Sequence, residues 1–480
     1  MSRAIRLASS ALIAAGLAAS VSAQAPASPS LARQVDEVFS SFTPDGPGCA
    51  VAVYQNGNVV LAKGYGSANL EYGVPITPST PFIVGSVSKQ FTAAAIALLV
   101  EEKRIALTDD VRKYVPELAD YGTPITIYHL VHHTSGLRDW WELVGLAGMR
   151  YDDTYTAQDV LDMTARQRGL NFTPGERYVY SNTGYIVLGL VVQRVTGKSL
   201  REFAADRIFG PLKMTDSHYQ DDHTQPVRGR AYAYSPTAGG RYAITVWNND
   251  LVGQGGVMTT VLDLAKWDGN FESGAVGGPG FLRRQLERGK LNSGISLNYA
   301  FGLQIGTYRG LDLVEHSGST GGYRAVLSRF PKQRTSIAVL CNVSNASAVT
   351  LAHQLADHLL RDSFTWPNTT TATANAAAGA SGGQPDGALE PAVQLSAAEL
   401  ARFAGRYYSD ELGALYEITV SGSTISVKRP RGKPETLTAR DGATLSGRVG
   451  TLRFALGPDH RAERFVLDAG RVQNLTFVRR

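Results

Sequence analysis

The sequence predicts an α+β fold: an antiparallel sheet flanked by helices, with a helical half inserted between its opening and closing strands, followed by a C-terminal all-β, barrel-like domain. Three observations predict it. Strand signals sit at both ends of residues 31–362, and helical patterns fill the middle. Residues 365–394 are low-complexity Thr, Ala, Gly and Pro with almost no bulky side chains. Beyond them come short alternating apolar runs, LYEITV, TISVKR, TLRFAL, RFVLD and NLTFVRR, separated by turn residues.

The elements follow in order. Arg3 and Arg6 precede a short uncharged apolar run, and Val21-Ser22-Ala23 offers small residues for cleavage, so residues 1–23 read as an export signal. A membrane-anchored N-terminus is the alternative, and no Cys follows the run to carry a lipid. A helix is expected over 31–42. Residues 48–54 and 59–66 read as a hairpin around Asn56-Gly57. Residues 86–103, SVSKQFTAAAIALLVEEK, are rich in Ala and Leu and free of Gly and Pro, which predicts a helix. Further helices are expected over 127–132, 157–166, 183–195 and 262–271. Strands are expected over 299–308, 311–316, 323–330 and 336–341, and a closing helix over 348–361. The expected divisions are a signal at 1–23, a main domain at 24–364, a flexible linker at 365–394 and a small β-barrel at 395–480.

Composition narrows the partners. The 480 residues carry a formal charge of +5, of which +2 lies in the signal. Residues 395–480 hold 14 basic and 9 acidic side chains, leaving 31 and 33 over residues 24–394. The basic groups of the tail alternate with apolar residues, so they read as a solvated barrel surface rather than a site for an anionic surface such as a membrane or envelope polymer, and no nucleic-acid partner is expected. Beyond the signal no stretch is long and apolar enough to span a bilayer. Cys49 and Cys341 lie in apolar, strand-like runs and are expected to be buried free thiols, although an exported protein can join two such residues. With no Cys/His cluster, neither a metal nor a cofactor is expected.

Three short stretches carry chemistry. In Gly85-Ser86-Val87-Ser88-Lys89 a Ser at a helix start has a Lys three residues on, on the same face, able to activate its hydroxyl. In Tyr180-Ser181-Asn182 the phenol can act as a base or relay a proton to a leaving group, and Asn182 can orient the Lys or hold a substrate carbonyl. In His316-Ser317-Gly318-Ser319 a polar strand end runs into glycines, where a backbone N–H can join that of Ser86 in an oxyanion hole. Each alone has a bland reading: a capping Ser, a packed aromatic, a Gly-rich turn.

Together they resemble the serine β-lactamase and penicillin-binding-protein family, whose signatures are SxxK, YxN and a Lys or His followed by x-Gly. The resemblance covers about residues 31–362 and includes LVHHTSGL, FGPLKMTDS and GQGGVMTTVLDLAKW, similar to the class C-related branch with its D-aminopeptidases and esterases. It implies Ser86 as nucleophile, Lys89 as its base and Tyr180 as the proton-handling phenol. It likewise implies substrate contacts at Asn182, His316, Gly318 and Ser319, with the N–H groups of Ser86 and Ser319 as the oxyanion pair. His132, His133, Ser135 and Gly136 are expected to shape a corner only. The β-lactamases have Lys where this chain has His316, which resembles the D-aminopeptidase-like branch; members of that branch also carry a lipocalin-like C-terminal barrel. His316 in the cleft is expected to titrate near about 6.5 and to favour carboxylate-bearing substrates at acid pH.

The implied activity is that of a secreted or periplasmic serine hydrolase. It would cleave amide or ester bonds of small peptides, D-amino-acid-containing ones among them, through an acyl-enzyme on Ser86. A small-ester esterase and a β-lactamase use the same machinery. A catalytically silent envelope binding protein is the alternative from another class, and loss of Lys89 or Tyr180 would be its mark. The sequence leaves the oligomeric state open.

Overall fold

A computed structural model describes residues 29–246, 248–365 and 391–480. The expected signal at 1–23 and nearly all of the expected linker lie outside the described residues. The main sheet has six antiparallel strands: β1 (Cys49–Gln55), β2 (Asn58–Tyr65), and then β10 (Gln304–Tyr308), β11 (Leu311–Thr320), β12 (Tyr323–Phe330) and β13 (Thr335–Cys341). Their spatial order is β10-β11-β12-β13-β1-β2, so the last strand of the segment pairs with the first. Between β2 and β10 lie short strands: β3 (Ser67–Asn69), β4 (Val74–Pro75), β5 (Phe82–Ile83), β6 (His218–Tyr219), β7 (Ala233–Pro236), β8 (Tyr242–Thr245) and β9 (Val257–Thr259).

The central strands are buried on both faces, which explains their nearly unbroken apolar runs. Ala50, Ala52 and Tyr54 of β1 face one cluster, and Cys49, Val51 and Val53 face another. The first cluster is covered by α8 (Val261–Ser273) and the second by α1 (Pro29–Val38) and α10 (Ala348–Leu359). The inserted half contains α2 (Lys89–Glu101), α3 (Ile127–Val131), α4 (Trp140–Leu146), α5 (Ala157–Ala165), α6 (Asn182–Thr196), α7 (Leu200–Ala204) and α9 (Gly278–Gln285). Residues Lys89 to Leu99 of α2 are all buried, as its even distribution of Ala and Leu requires. The Ser181 side chain accepts from the N–H of Gly184 to start α6, and Gly197 ends it at φ 73°.

Two strand expectations change. Residues 299–303 turn inward instead of pairing as strand, and Gly302, at φ 70°, lies so close to the Lys89 backbone that a Cβ would stand 2.5 Å from it. β11 runs on through Gly318 to Thr320, so the third motif is strand and the turn falls at Gly321 and Gly322. The thiol expectation is corrected outright: Cys49 and Cys341 are joined in a disulfide. They are 292 residues apart in sequence but stand directly opposite each other in the β1–β13 register, with Cα atoms 4.0 Å apart. Joining the two ends of so long a loop restricts the unfolded chain. Cys49→Ala with Cys341→Ala should therefore lose about 2–4 kcal/mol, read as a melting temperature several degrees lower. Alkylation of the unfolded wild type before and after reduction checks the bond directly; two free thiols without reductant would refute it.

After a short helix α11 (Ala397–Ala401), eight antiparallel strands close a barrel: β14 (Gly405–Ser409), β15 (Ala414–Ser421), β16 (Thr424–Lys428), β17 (Glu435–Ala439), β18 (Thr444–Gly447), β19 (Gly450–Leu456), β20 (Ala462–Ala469) and β21 (Val472–Arg479). Every second side chain points inward, and Tyr407, Tyr416, Phe454, Phe465 and Phe477 fill the bore. The barrel is docked on the inserted half. Its apolar cluster continues into Trp140, Leu143 and Val144 of α4 and Val160 of α5, and the Tyr416 hydroxyl donates to Leu146 O at 2.8 Å. The buried Arg138 guanidinium pairs with Glu411 at 2.5 Å. No helix among the described residues is long and apolar enough to cross a membrane.

Candidate active site

Ser86 lies on a 3-10 turn, Gly85–Ser88, that feeds into α2 at Lys89. The helix thus begins three residues later than its composition suggests. Gly85 takes φ 51°, and a Cβ there would stand 2.8 Å from Ser319 N. Gly318 is equally constrained, since its Cβ would lie 1.9 Å from Val84 O and 3.0 Å from Ser86 N. Two close backbone approaches therefore bring the first and third motifs together, and they require glycine. Ser88, the other hydroxyl of the first motif, is buried and accepts from Val257 N–H at 3.0 Å, away from the cleft.

The Lys89 ammonium position is fully buried. Its Nζ lies 3.1 Å from Ser86 Oγ, 2.9 Å from Asn182 Oδ1 and 2.6 Å from Gln254 O. Burial holds its pKa well below the usual lysine range; the Asp139 carboxylate opposes this and the Arg471 guanidinium adds to it. A neutral amine has two N–H donors and one lone pair. Asn182 Oδ1 and Gln254 O can only accept, so they take both donors and leave the lone pair for the Ser86 hydroxyl proton.

Tyr180 is buried, its ring 4.8 Å from Lys89 Nζ. Its hydroxyl has no hydrogen-bond partner of good geometry. Burial drives its pKa well above that of a free phenol, and the Ser86 hydroxyl opposes this more than the Arg471 guanidinium does. The phenol is therefore protonated, which suits a proton donor better than a base.

The structure corrects the titration expected of His316. Its ring is fully buried, with Nδ1 2.7 Å from Ser317 O and Nε2 3.0 Å from the Tyr299 hydroxyl. A carbonyl only accepts, so Nδ1 carries the proton and Nε2 accepts from Tyr299. Burial, with Lys89 adding to it, pushes its pKa down to about 3. His316 stays neutral through the whole working range, and the specificity ratio for a carboxylate substrate over its neutral analogue should be flat from pH 5 to 8 on its account. A ratio that climbs toward acid and is flattened in His316→Gln would overturn this reading. Ser319 is exposed and Gly318 is buried beside Ser86.

Two contributors, Asp139 and Arg471, went unread in the sequence, and a third, His133, was given a lesser role. His133, expected only to shape a corner, is buried; its Nδ1 accepts from Ser181 N–H at 3.0 Å and its ring lies 4.2 Å from that of Tyr180. It thus holds the second motif in place. Asp139 is fully buried and accepts from Asn182 N–H at 2.6 Å. Arg471 comes from the barrel, with its guanidinium 6.0 Å from the centre of the Tyr180 ring. The LVHHTSGL stretch was the available signal for His133. No local signal marks Arg471. Away from this site, Asp222, His223 and Asp250 gather ligand-type atoms, but His223 Nδ1 is already paired with Asp250 at 2.8 Å.

A mixed sheet-and-helix domain with Ser, Lys and Tyr converging at a helix start is the architecture of the penicillin-recognising serine proteins. The family described as Beta-lactamase matches residues 35–360, and the chain belongs to that family. A D-aminopeptidase of Gluconobacter oxydans is 31% identical over 313 residues, 65% of this chain and 58% of that protein. The chain spans about 60% of the length of the curated relatives it matches. In fold it is similar to an octameric penicillin-binding protein homologue from Pyrococcus abyssi (TM-score 0.60, 24% identity, 94% of this chain and 99% of that one). It is also similar to a D-amino acid amidase from Ochrobactrum anthropi (TM-score 0.58, 22% identity, 70% and 99%).

Proposed function

We propose that this protein is an exported serine amidohydrolase that cleaves small amide or peptide substrates next to a D-amino acid through an acyl-enzyme on Ser86. The observation that carries the reading is the lone pair of Lys89, left for Ser86 by two carbonyl-type acceptors. Lys89 takes the Ser86 proton as Oγ attacks the carbonyl carbon. The N–H groups of Ser86 and Ser319 receive the oxyanion. Tyr180 hands its proton to the leaving nitrogen and is recharged by the proton Lys89 gained. Water then attacks the acyl-enzyme by the same route in reverse. Asn182 fixes Lys89, while His316, Gly318 and Ser319 form the strand edge along which substrate lies.

The D-aminopeptidase likeness supports the choice of bond and stereochemistry. The signal-like residues 1–23 and the disulfide support an oxidising compartment. We read residues 24–364 and 395–480 as two domains joined by the linker at 365–394. The test is a panel of D- and L-aminoacyl amides, p-nitrophenyl esters and a chromogenic cephalosporin, with Ser86→Ala as control. D-aminoacyl amides should give the highest kcat/KM. Turnover of the cephalosporin above every amide would replace the reading with a β-lactamase, and turnover of esters alone with an esterase.

A further inference from the structure

The loop joining β20 and β21 is two residues long, Gly470 and Arg471, since Ala469 pairs with Val472. This tip is seated on the inserted half by several bonds. Asn171 Nδ2 donates to Arg471 O at 2.9 Å, Gln473 N donates to Asn171 Oδ1 at 2.7 Å, and Arg138 donates to Gln473 O at 2.9 Å and Asn474 O at 2.8 Å. The Arg471 guanidinium lies 3.3 Å from Asp139 Oδ1 and 3.3 Å from Glu142 Oε1. Asp139 holds Asn182 N–H, and Asn182 Oδ1 holds Lys89. One continuous path of contacts thus runs from the barrel tip to the amine beside Ser86.

Resting on the serine-hydrolase reading above, we propose that the barrel is a working part of the catalytic site: Arg471 is a positioning residue that balances the buried Asp139 carboxylate and so keeps Lys89 free to accept the Ser86 proton. Asp139 is wholly buried, and an unbalanced carboxylate there would attract a proton onto Lys89. The other groups facing Lys89 do not supply the balance. Tyr180, Tyr185, Tyr178 and Tyr299 are held protonated by burial, and His133 and His316 are held neutral. Glu142 adds a second negative group on the far side of Arg471. Lys89 and Arg471 lie 4.8 and 6.0 Å from the centre of the same Tyr180 ring, and so within about 11 Å of each other, close enough for a sizeable mutual effect in a dry site.

The sign follows. Without the guanidinium the ammonium form of Lys89 is favoured, its pKa rises, and the acid limb of activity moves to higher pH. The experiment is kcat/KM for p-nitrophenyl acetate, an uncharged substrate, from pH 5 to 9 on full-length protein. Arg471→Met should move the acid limb up by about one pH unit, a loss of roughly tenfold below the limb and little above it. Arg471→Lys, which keeps the charge, should stay within a few tenths of a unit of wild type. Glu142→Gln should move the limb the other way, and it decides the matter if Arg471→Met does not fold. An unmoved limb in folded Arg471→Met, or in Glu142→Gln when that variant decides, overturns the proposal, as does Arg471→Lys displaced as far as Arg471→Met. Failure of the underlying reading is seen separately: wild type would then take no acyl group on Ser86 from the same ester.

Discussion

Replacing Ser86 with Ala is expected to lower turnover about a thousandfold or more while leaving the fold intact. Ser86 sits half-buried on its 3-10 turn, and its hydroxyl contributes one contact to Lys89. Taking it away leaves Lys89 held by Asn182 and Gln254, so the surrounding network stays assembled. The variant loses the hydroxyl that lies beside Lys89, the atom expected to attack a carbonyl and pass its proton to that amine. Intact-mass measurement after exposure to an acylating p-nitrophenyl ester checks the role. Wild type should gain one acyl group and Ser86→Ala none; labelling that persists would reassign the nucleophile.

The second large effect is expected at Lys89. Lys89→Met should reduce kcat by about 10²–10⁴, the range of a lost general base. The variant also leaves Asn182 Oδ1 and Gln254 O without their donor, at about 1–3 kcal/mol for each orphaned acceptor. Lys89→Arg separates charge from basicity. A guanidinium can donate to both carbonyl-type oxygens but cannot accept a proton at any working pH. If Lys89 acts as a neutral base, the Arg variant is as inactive as the Met variant. Substantial activity in Lys89→Arg would mean that the site needs only a cation. The pH dependence has a definite sign: because burial lowers the pKa of Lys89, activity rises with pH through that lowered pKa and then holds. Tyr180, raised by burial, stays protonated across that plateau.

The parts of this site that were legible in advance are those written into a few adjacent residues. Ser86 and Lys89 share a helix face because they are three apart, and Tyr180 precedes and Asn182 opens an apolar helix with a capping Ser between them. The parts that were not legible are products of distance. His316 was expected to titrate because it stands at a polar strand end; β11 and the inward-turning Tyr299 segment bury it instead and fix its tautomer. Cys49 and Cys341 read as lone thiols until the first and last strands of the sheet were paired. His133 read as a corner residue, and only the return of the chain at Ser181 gives its Nδ1 a donor.

Local pattern was enough for the layout of sheet, inserted helices and barrel, and for the three motifs. Helix periodicity, strand alternation and turn residues are all settled by interactions within a few residues of one another. Tertiary packing decided which of those groups carry a proton. Protonation depends on how much water is excluded and which charges lie within several ångströms, and here those charges come from segments hundreds of residues apart. Burial favours the neutral form of Lys89 in a pocket whose walls include the Gln254 loop and the inserted helices, with Arg471 reaching in from a barrel hairpin almost at the end of the chain.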